Sequence, residues 1–307
     1  MLRTACIAGR QGLQVGPVAD LLSYGSTPDF VSQKCTSARS FSSIVGAEFQ
    51  MERLSGADTG IVMFTMDRPK AKNALGTSMM HEFRAALDAV RFDKDVRAVV
   101  LRSAVDGVFC AGADLKERAL MTPPEVAAFV YGLRSAFTGL AALPMPVIAA
   151  LHGAALGGGC ELALAADLRV ADASTQLGLP ETGLAIIPGA GGTQRLPRLV
   201  GASRAKDLIF TGRRVGSEEA AAMGLVDRAV PAGEAVAAAL SLARDILPKG
   251  PVAVRMAKAS IDGGMQCDVA TGMRVEEASY AQVIPTADRV EGLTAFREKR
   301  KPVYKGE

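Results

Sequence analysis

Pro146-Val147-Ile148-Ala149-Ala150-Leu151-His152-Gly153-Ala154-Ala155-Leu156-Gly157-Gly158-Gly159-Cys160-Glu161 is the stretch on which the reading of this chain turns. Val147 to Leu151 is a short apolar run bounded by proline and glycine, as a buried strand requires. The glycines then open a helix that continues through Leu162-Ala163-Leu164-Ala165-Ala166-Asp167. The first four N–H groups of such a helix lack partners within it and lie at the positive end of its dipole. Gly158, with no side chain to obstruct approach, is therefore a candidate donor to an anion.

Glu161 closes this stretch, and Glu181 lies twenty positions further on, each beside glycines and apolar residues. A buried carboxylate is costly unless it is paired, hydrogen-bonded or protonated, so two of them at glycine turns point to acid/base chemistry. Taken singly, each feature has a plainer reading. Glycines 157 to 159 also suit a close-packing turn, Glu161 a carboxylate complementing the helix dipole, and Glu181, before Thr182-Gly183, a turn cap.

A second donor comes from Val108-Phe109-Cys110-Ala111-Gly112-Ala113-Asp114-Leu115-Lys116-Glu117-Arg118, which follows the apolar strand Ala98-Val99-Val100-Leu101 and keeps small residues where backbone must stay uncovered. Two convergent N–H groups polarise a carbonyl and stabilise an enolate, each by roughly 3 kcal/mol of barrier.

Around these segments short strands alternate with helices. Patterning predicts strands over 60–66, 96–101, 147–151, 167–171 and 176–179, and helices over 79–90 and 124–142, which implies an α/β layered core. After Val230-Pro231 the chain becomes helix-rich, with helices expected over 234–246, 252–262, 269–283 and 290–298. The 143–166 region is apolar enough to suggest a membrane span, but its prolines, glycines, His152 and Glu161 break it up.

The Cys110-to-Lys116 segment, the Gly157-to-Glu161 block, and Leu179-Pro180-Glu181 through Ile187-Pro188-Gly189-Ala190-Gly191-Gly192-Thr193-Gln194-Arg195-Leu196 together resemble the enoyl-CoA hydratase (crotonase) family. The resemblance runs from about Met51 to Glu307, with three motifs in the family's order and spacing. It implies a right-handed spiral of ββα turns over 42–247 and a C-terminal helical region, 248–307, that forms trimers, often paired into hexamers.

The resemblance further implies a hydro-lyase that adds water across the 2,3-double bond of a 2-enoyl-CoA thioester. The amides of Ala113 and Gly158 would hold the thioester oxygen, with the acyl-CoA bent between the Ala111-Gly112-Ala113-Asp114-Leu115 loop and the glycine helix. Glu161 would activate water for attack at the β-carbon, and Glu181 would deliver a proton to the α-carbon. Such a division needs one base and one acid within hydrogen-bond reach of an enolate. Phe296 and Lys299 match the family segment that reaches the CoA adenine and 3′-phosphate, sometimes from a neighbouring subunit; a solvated basic helix end explains the same residues.

The implied pathway is fatty-acid or branched-chain amino-acid breakdown, and the residues divide between two branches. Phe109 to Ala119 and Gly183-Leu184-Ala185-Ile186-Ile187-Pro188 look like the methylglutaconyl-CoA hydratase branch of leucine degradation, whereas Pro180-Glu181 and Gly189-Ala190-Gly191-Gly192 look like the short-chain branch. The methylglutaconyl branch includes an AU-rich-RNA-binding protein whose helix carries a comb of lysines. Thr77, His81 and Ala85 occupy those positions here, which disfavours nucleic acid as a partner. Isomerisation or thioester hydrolysis on the same fold is the remaining rival.

Other chemistries find no motif. The two histidines, His81 and His152, do not form a triad pattern; no Gly-x-Ser-x-Gly elbow, Walker lysine or Gly-x-Gly-x-x-Gly turn occurs. The five cysteines, at 6, 35, 110, 160 and 267, lack Cys-x-x-Cys spacing, so neither a metal site nor a disulfide framework is expected, and Cys110 and Cys160 read as small apolar filling. No cofactor is implied, because CoA arrives with the substrate.

Residues 1–41 differ in kind. They carry Arg3, Arg10, Lys34 and Arg39 against Asp20 and Asp29, with no core pattern, and read as an organelle transit peptide with cleavage near Phe41 in Ala38-Arg39-Ser40-Phe41-Ser42-Ser43. The expected address is the mitochondrial matrix, with a plastid as the alternative. Removing four basic and two acidic residues leaves 31 basic against 30 acidic, a near-neutral protein with no polyanion-binding signal.

Overall fold

The computed structural model describes residues 43–307; the expected transit segment lies outside them. Two short strands, β1 (Ser43–Val45) and β2 (Phe49–Arg53), lead into β3 (Ile61–Met66) and helix α1 (Thr77–Arg91). The chain then repeats one unit: a strand in a large sheet, a strand in a small sheet, and a helical return. The first comprises β4 (Ala98–Ser103), β5 (Val108–Cys110), α2 (Leu115–Arg118) and α3 (Pro123–Ala141). The second is β6 (Val147–Leu151), β7 (Ala154–Leu156) and α4 (Gly158–Leu164). The third is β8 (Leu168–Asp172), β9 (Gln176–Gly178), α5 (Gly192–Val200) and α6 (Ala202–Thr211). β10 (Val215–Gly216), α7 (Ser217–Ala222), β11 (Arg228–Val230) and α8 (Ala235–Ile246) complete the layers, and α9 (Pro251–Gly264), α10 (Val269–Val283) and α11 (Ala287–Glu298) follow.

Among the described residues the strands form a seven-stranded sheet, ordered β1-β2-β3-β4-β6-β8-β11, and a four-stranded sheet, ordered β10-β9-β7-β5. Strands of successive units pair in parallel within each sheet, which suits returns made by helices. This order is the expected spiral of ββα turns. Among the described residues six of the eleven strands, β1, β2, β5, β7, β10 and β11, were absent from the expected pattern, and β5 and β7 matter most for the site. β5 and β7 are three residues each, too short for an alternation to register, and both lie in segments read from sequence as loop or helix approach.

Period-two alternation distributes the core. Val62, Phe64, Val99, Leu101, Val147 and Ala149 face one side of the large sheet, where they meet Met80, Phe83, Leu87 and Val90 of α1. Ile61, Met63, Val100, Ile148 and Val170 face the other, where Ala235, Ala239 and Ala243 of α8, one helical turn apart, let that helix lie close. Each valine, leucine, isoleucine, phenylalanine or methionine among them contributes about 1.5–3 kcal/mol against chain entropy when removed from water. α3 begins one residue before its expected start because Thr122 and Glu125 form a capping box there.

Candidate active site

Gly157 caps α4 at φ +54°, a conformation that glycine alone adopts freely, and Gly158 begins the helix. The first intrahelical bond runs from Glu161 N to Gly157 O (2.9 Å), so the Gly158 amide lies ahead of the helical ladder. Behind it, a side chain on Gly159 would stand 2.2 Å from the Cys110 carbonyl oxygen; this close approach seats α4 on β5.

The loop after β5 brings up the second amide. Leu75 N donates to Gly112 O (2.8 Å) and Asp114 N to Leu75 O (3.1 Å), a parallel bridge that passes over the Ala113 amide between them. That nitrogen lies 3.4 Å from where a Gly158 side chain would begin. The amides of Ala113 and Gly158 therefore flank the same small space, two residue types chosen for what they leave uncovered.

Glu161 stands one turn into α4 and is 3% exposed. Its Oε1 accepts the amides of Ala190 and Gly192, each at 2.8 Å. Burial pushes the carboxyl above its ordinary value, while the Gly192 and Ala190 amides and the charges of Arg195 and Arg134 pull it back only in part. Glu181 sits in a short 3-10 helix, Pro180–Leu184, beside the α4 cap. Its Oε2 is buried without a partner. Burial pushes this carboxyl up to about 7; its own backbone amide opposes the shift and the Glu161 charge adds to it.

Both carboxylates line one cavity with Ala111, Gly112, Ala113, Leu115 and Gly158. A cavity lined by two uncovered amides and two elevated carboxylates can bind a carbonyl oxygen and move protons at neighbouring carbons. Leu184 and Ile187, 58% and 69% exposed, form an apolar rim.

Three expected site residues stand elsewhere. Asp114 does not line the cavity: it caps α2, its Oδ1 accepting the amides of Lys116 (3.0 Å) and Glu117 (3.1 Å) and its Oδ2 pairing with Arg68 at 2.8 Å. An aspartate before a helix is an N-cap first, and that reading takes the whole carboxylate. Phe296 is 86% exposed near the end of α11, and Lys299 caps that helix at φ 56°; neither lines the cavity.

Sequence reading missed Val130 and Leu133 of α3, the amides of Ala190 and Gly192 that hold Glu161, and Arg134. The spacing of Val130, Leu133 and Phe137 on one helix face was a usable signal for the first two. Thr77, His81 and Ala85 lie on the exposed face of α1. Among the described residues no helix is long and apolar enough to cross a membrane.

Spiral and cavity together define an α/β protein of the crotonase type. Residues 56–307 match the enoyl-CoA hydratase/isomerase family, and the chain belongs to it. Enoyl-CoA hydratase domain-containing protein 2, mitochondrial, from Mus musculus is 53% identical over 263 residues, spanning 84% of this chain and 89% of the relative. Methylglutaconyl-CoA hydratase, mitochondrial, from Homo sapiens is 52% identical over 264 residues, spanning 85% and 78% respectively. A crystal structure of enoyl-CoA hydratase from Bacillus anthracis superposes with a TM-score of 0.81 at 46% identity, covering 85% of this chain and all of that one.

Proposed function

We propose that this chain is a 2-enoyl-CoA hydratase working through Glu161 and Glu181. The observation that carries the reading is that these two carboxylates share one cavity with the amides of Ala113 and Gly158. The thioester oxygen would accept both amides. Glu161 would take a proton from water as its oxygen bonds to the β-carbon; the π electrons move to the thioester oxygen, and the proton on Glu181 then passes to the α-carbon. A carboxyl raised to about 7 holds that proton near neutrality, which fits the acid role. A straight-chain substrate is the first expectation, with CoA as part of the substrate and no other cofactor.

A second reading, hydration of methylglutaconyl-CoA, is supported by the human relative of that name. Assembly as a trimer or dimer of trimers is part of the proposal. Ile261, Met265, Val269, Met273 and Tyr280 of α9, α10 and their connection are exposed, as an interface between copies requires. In such an assembly Phe296 and Lys299 would meet CoA held by a neighbouring subunit, together with Ala111 and Leu115 of the subunit that binds it. The mitochondrial names of the relatives support a mitochondrial address, with the matrix as the proposed compartment.

The test is loss of enoyl-thioester absorbance with crotonyl-CoA for wild type, Glu161→Gln and Glu181→Gln. Hydration by wild type and a loss of about 100-fold or more in each variant is expected. A wild type inert on both crotonyl- and methylglutaconyl-CoA would overturn the reading.

A further inference from the structure

The reaction cavity does not end at the carboxylates. Val130, Ile186, Ile187 and Gly189 line both it and an adjoining groove of about 650 Å³, so the two spaces share a wall. Arg134, four residues after Val130 and therefore on the same face of α3, lines that groove. Its Nε donates to the Gly189 carbonyl at 3.0 Å, which fixes the guanidinium plane against the loop. Among the described residues no carboxylate lies within ion-pair distance of it, its charge acting on Glu161 at longer range, and its terminal nitrogens have no hydrogen-bond acceptor.

Two further features share the groove. Thr193 and Gln194 line it, and Thr193 stands in the first turn of α5, so the positive end of that helix adds to the Arg134 charge. The groove is thus apolar where it leaves the reaction cavity and cationic, with polar donors, beyond it.

An acyl chain held with its thioester oxygen at Ala113 and Gly158, and its double bond between Glu161 and Glu181, has the Val130–Ile186–Ile187 wall along its far side. A second carboxylate on that chain would be repelled by the charged Glu161 unless a cation lay beyond it. Arg134 is placed as that cation, with the planar fork suited to a carboxylate. We propose that Arg134 determines substrate class, anchoring a carboxylate at the far end of the acyl chain, so that the preferred substrate is the 2-enoyl thioester of a dicarboxylic acid. This inference rests on the hydratase reading above for where the double bond lies.

A matched pair of substrates tests it: glutaconyl-CoA and 2-pentenoyl-CoA, which differ by a terminal carboxylate in place of a methyl group. Wild type is expected to favour glutaconyl-CoA in kcat/KM. Arg134→Gln, which keeps a donor for the Gly189 carbonyl, should lower the ratio of kcat/KM on glutaconyl-CoA to that on 2-pentenoyl-CoA by about tenfold or more, beyond the fall common to both substrates that loss of its charge near Glu161 brings, with Arg134→Lys intermediate. Absence of a wild-type preference, or an equal fall on both substrates, overturns the proposal. Binding of the saturated thioesters glutaryl-CoA and pentanoyl-CoA reads the anchor without chemistry. If wild type prefers glutaryl-CoA, Arg134→Gln loses that preference and neither enoyl substrate is hydrated, the anchor stands and the hydratase reading falls; equal binding of the two saturated thioesters by wild type sinks the anchor whatever the hydration result.

Discussion

Gly157 leaves room for the carboxylate of Glu181: a side chain on Gly157 would begin 3.2 Å from its Oε1. The cap of α4 and the candidate acid are thus fitted to one another. Gly157→Ala should cost about 1–3 kcal/mol through its positive φ alone, and should also displace the carboxylate. Thermal melting and initial rates on crotonyl-CoA check both effects. An unchanged kcat would show that Glu181 does not need this place above the helix cap.

The elevated carboxyl of Glu181 makes a signed prediction. A glutamate whose folded value is about 7 keeps its proton while the unfolded chain, titrating near its ordinary value, has lost it. Stability from this group is therefore present at low pH and declines as pH rises toward 7. Glu181→Gln removes the dependence, so its melting temperature relative to wild type should be higher at pH 8 than at pH 4.5. Catalysis should follow the same group, with kcat/KM falling as pH climbs through about 7.

Glu161 separates catalysis from stability. Glu161→Gln keeps an oxygen to accept the Ala190 and Gly192 amides, so it should fold normally while losing activity. Glu161→Ala leaves two buried amides without an acceptor and should cost about 1–3 kcal/mol for each. Urea unfolding of the two variants reads the difference; equal midpoints would mean that water replaces the carboxylate.

Arg68 ties three carboxylates together, with Glu48 at 2.7 Å, Asp114 at 2.8 Å and Glu117 at 3.3 Å. Asp114 follows Ala113 directly, so this cluster bears on one of the two candidate donors. Arg68→Met should destabilise the chain by about 2–4 kcal/mol by leaving the acids uncompensated, and should lower kcat more than it raises KM. A normal kcat in a destabilised variant would confine Arg68 to folding.

Cys110 and Cys160 are buried, and burial pushes both thiols up to about 12, so neither is a thiolate at neutral pH. Cys267 is exposed. Iodoacetamide on the native protein should modify Cys267 ahead of the other two, as read by peptide mapping; rapid labelling of Cys160 would mean that α4 opens.

Local pattern alone determined a good deal. Apolar runs marked the central strands β3, β4 and β6 of the large sheet, since a strand buried on both faces must be apolar throughout, whereas β1, β2 and β11 at its margins carry no such run. The glycine block disclosed Gly158 and Glu161 together, because a helix start and a carboxylate one turn in are adjacent along the chain. Only the tertiary structure decided what meets across the chain. Glu181 reaches Gly157 through the small sheet, Ala113 reaches Gly158 through a single bridge at Leu75, and Ala190 and Gly192 hold Glu161 from thirty residues away. Asp114 and Arg134 show the limit most clearly. A carboxylate in a binding motif belongs to Arg68 and a helix cap, and an arginine not singled out in the expected 124–142 helix lines the groove beyond the active site. Sequence records residue type and spacing along the chain, whereas charge and hydrogen bonding act through space, and the partners of both groups are set by how the layers pack.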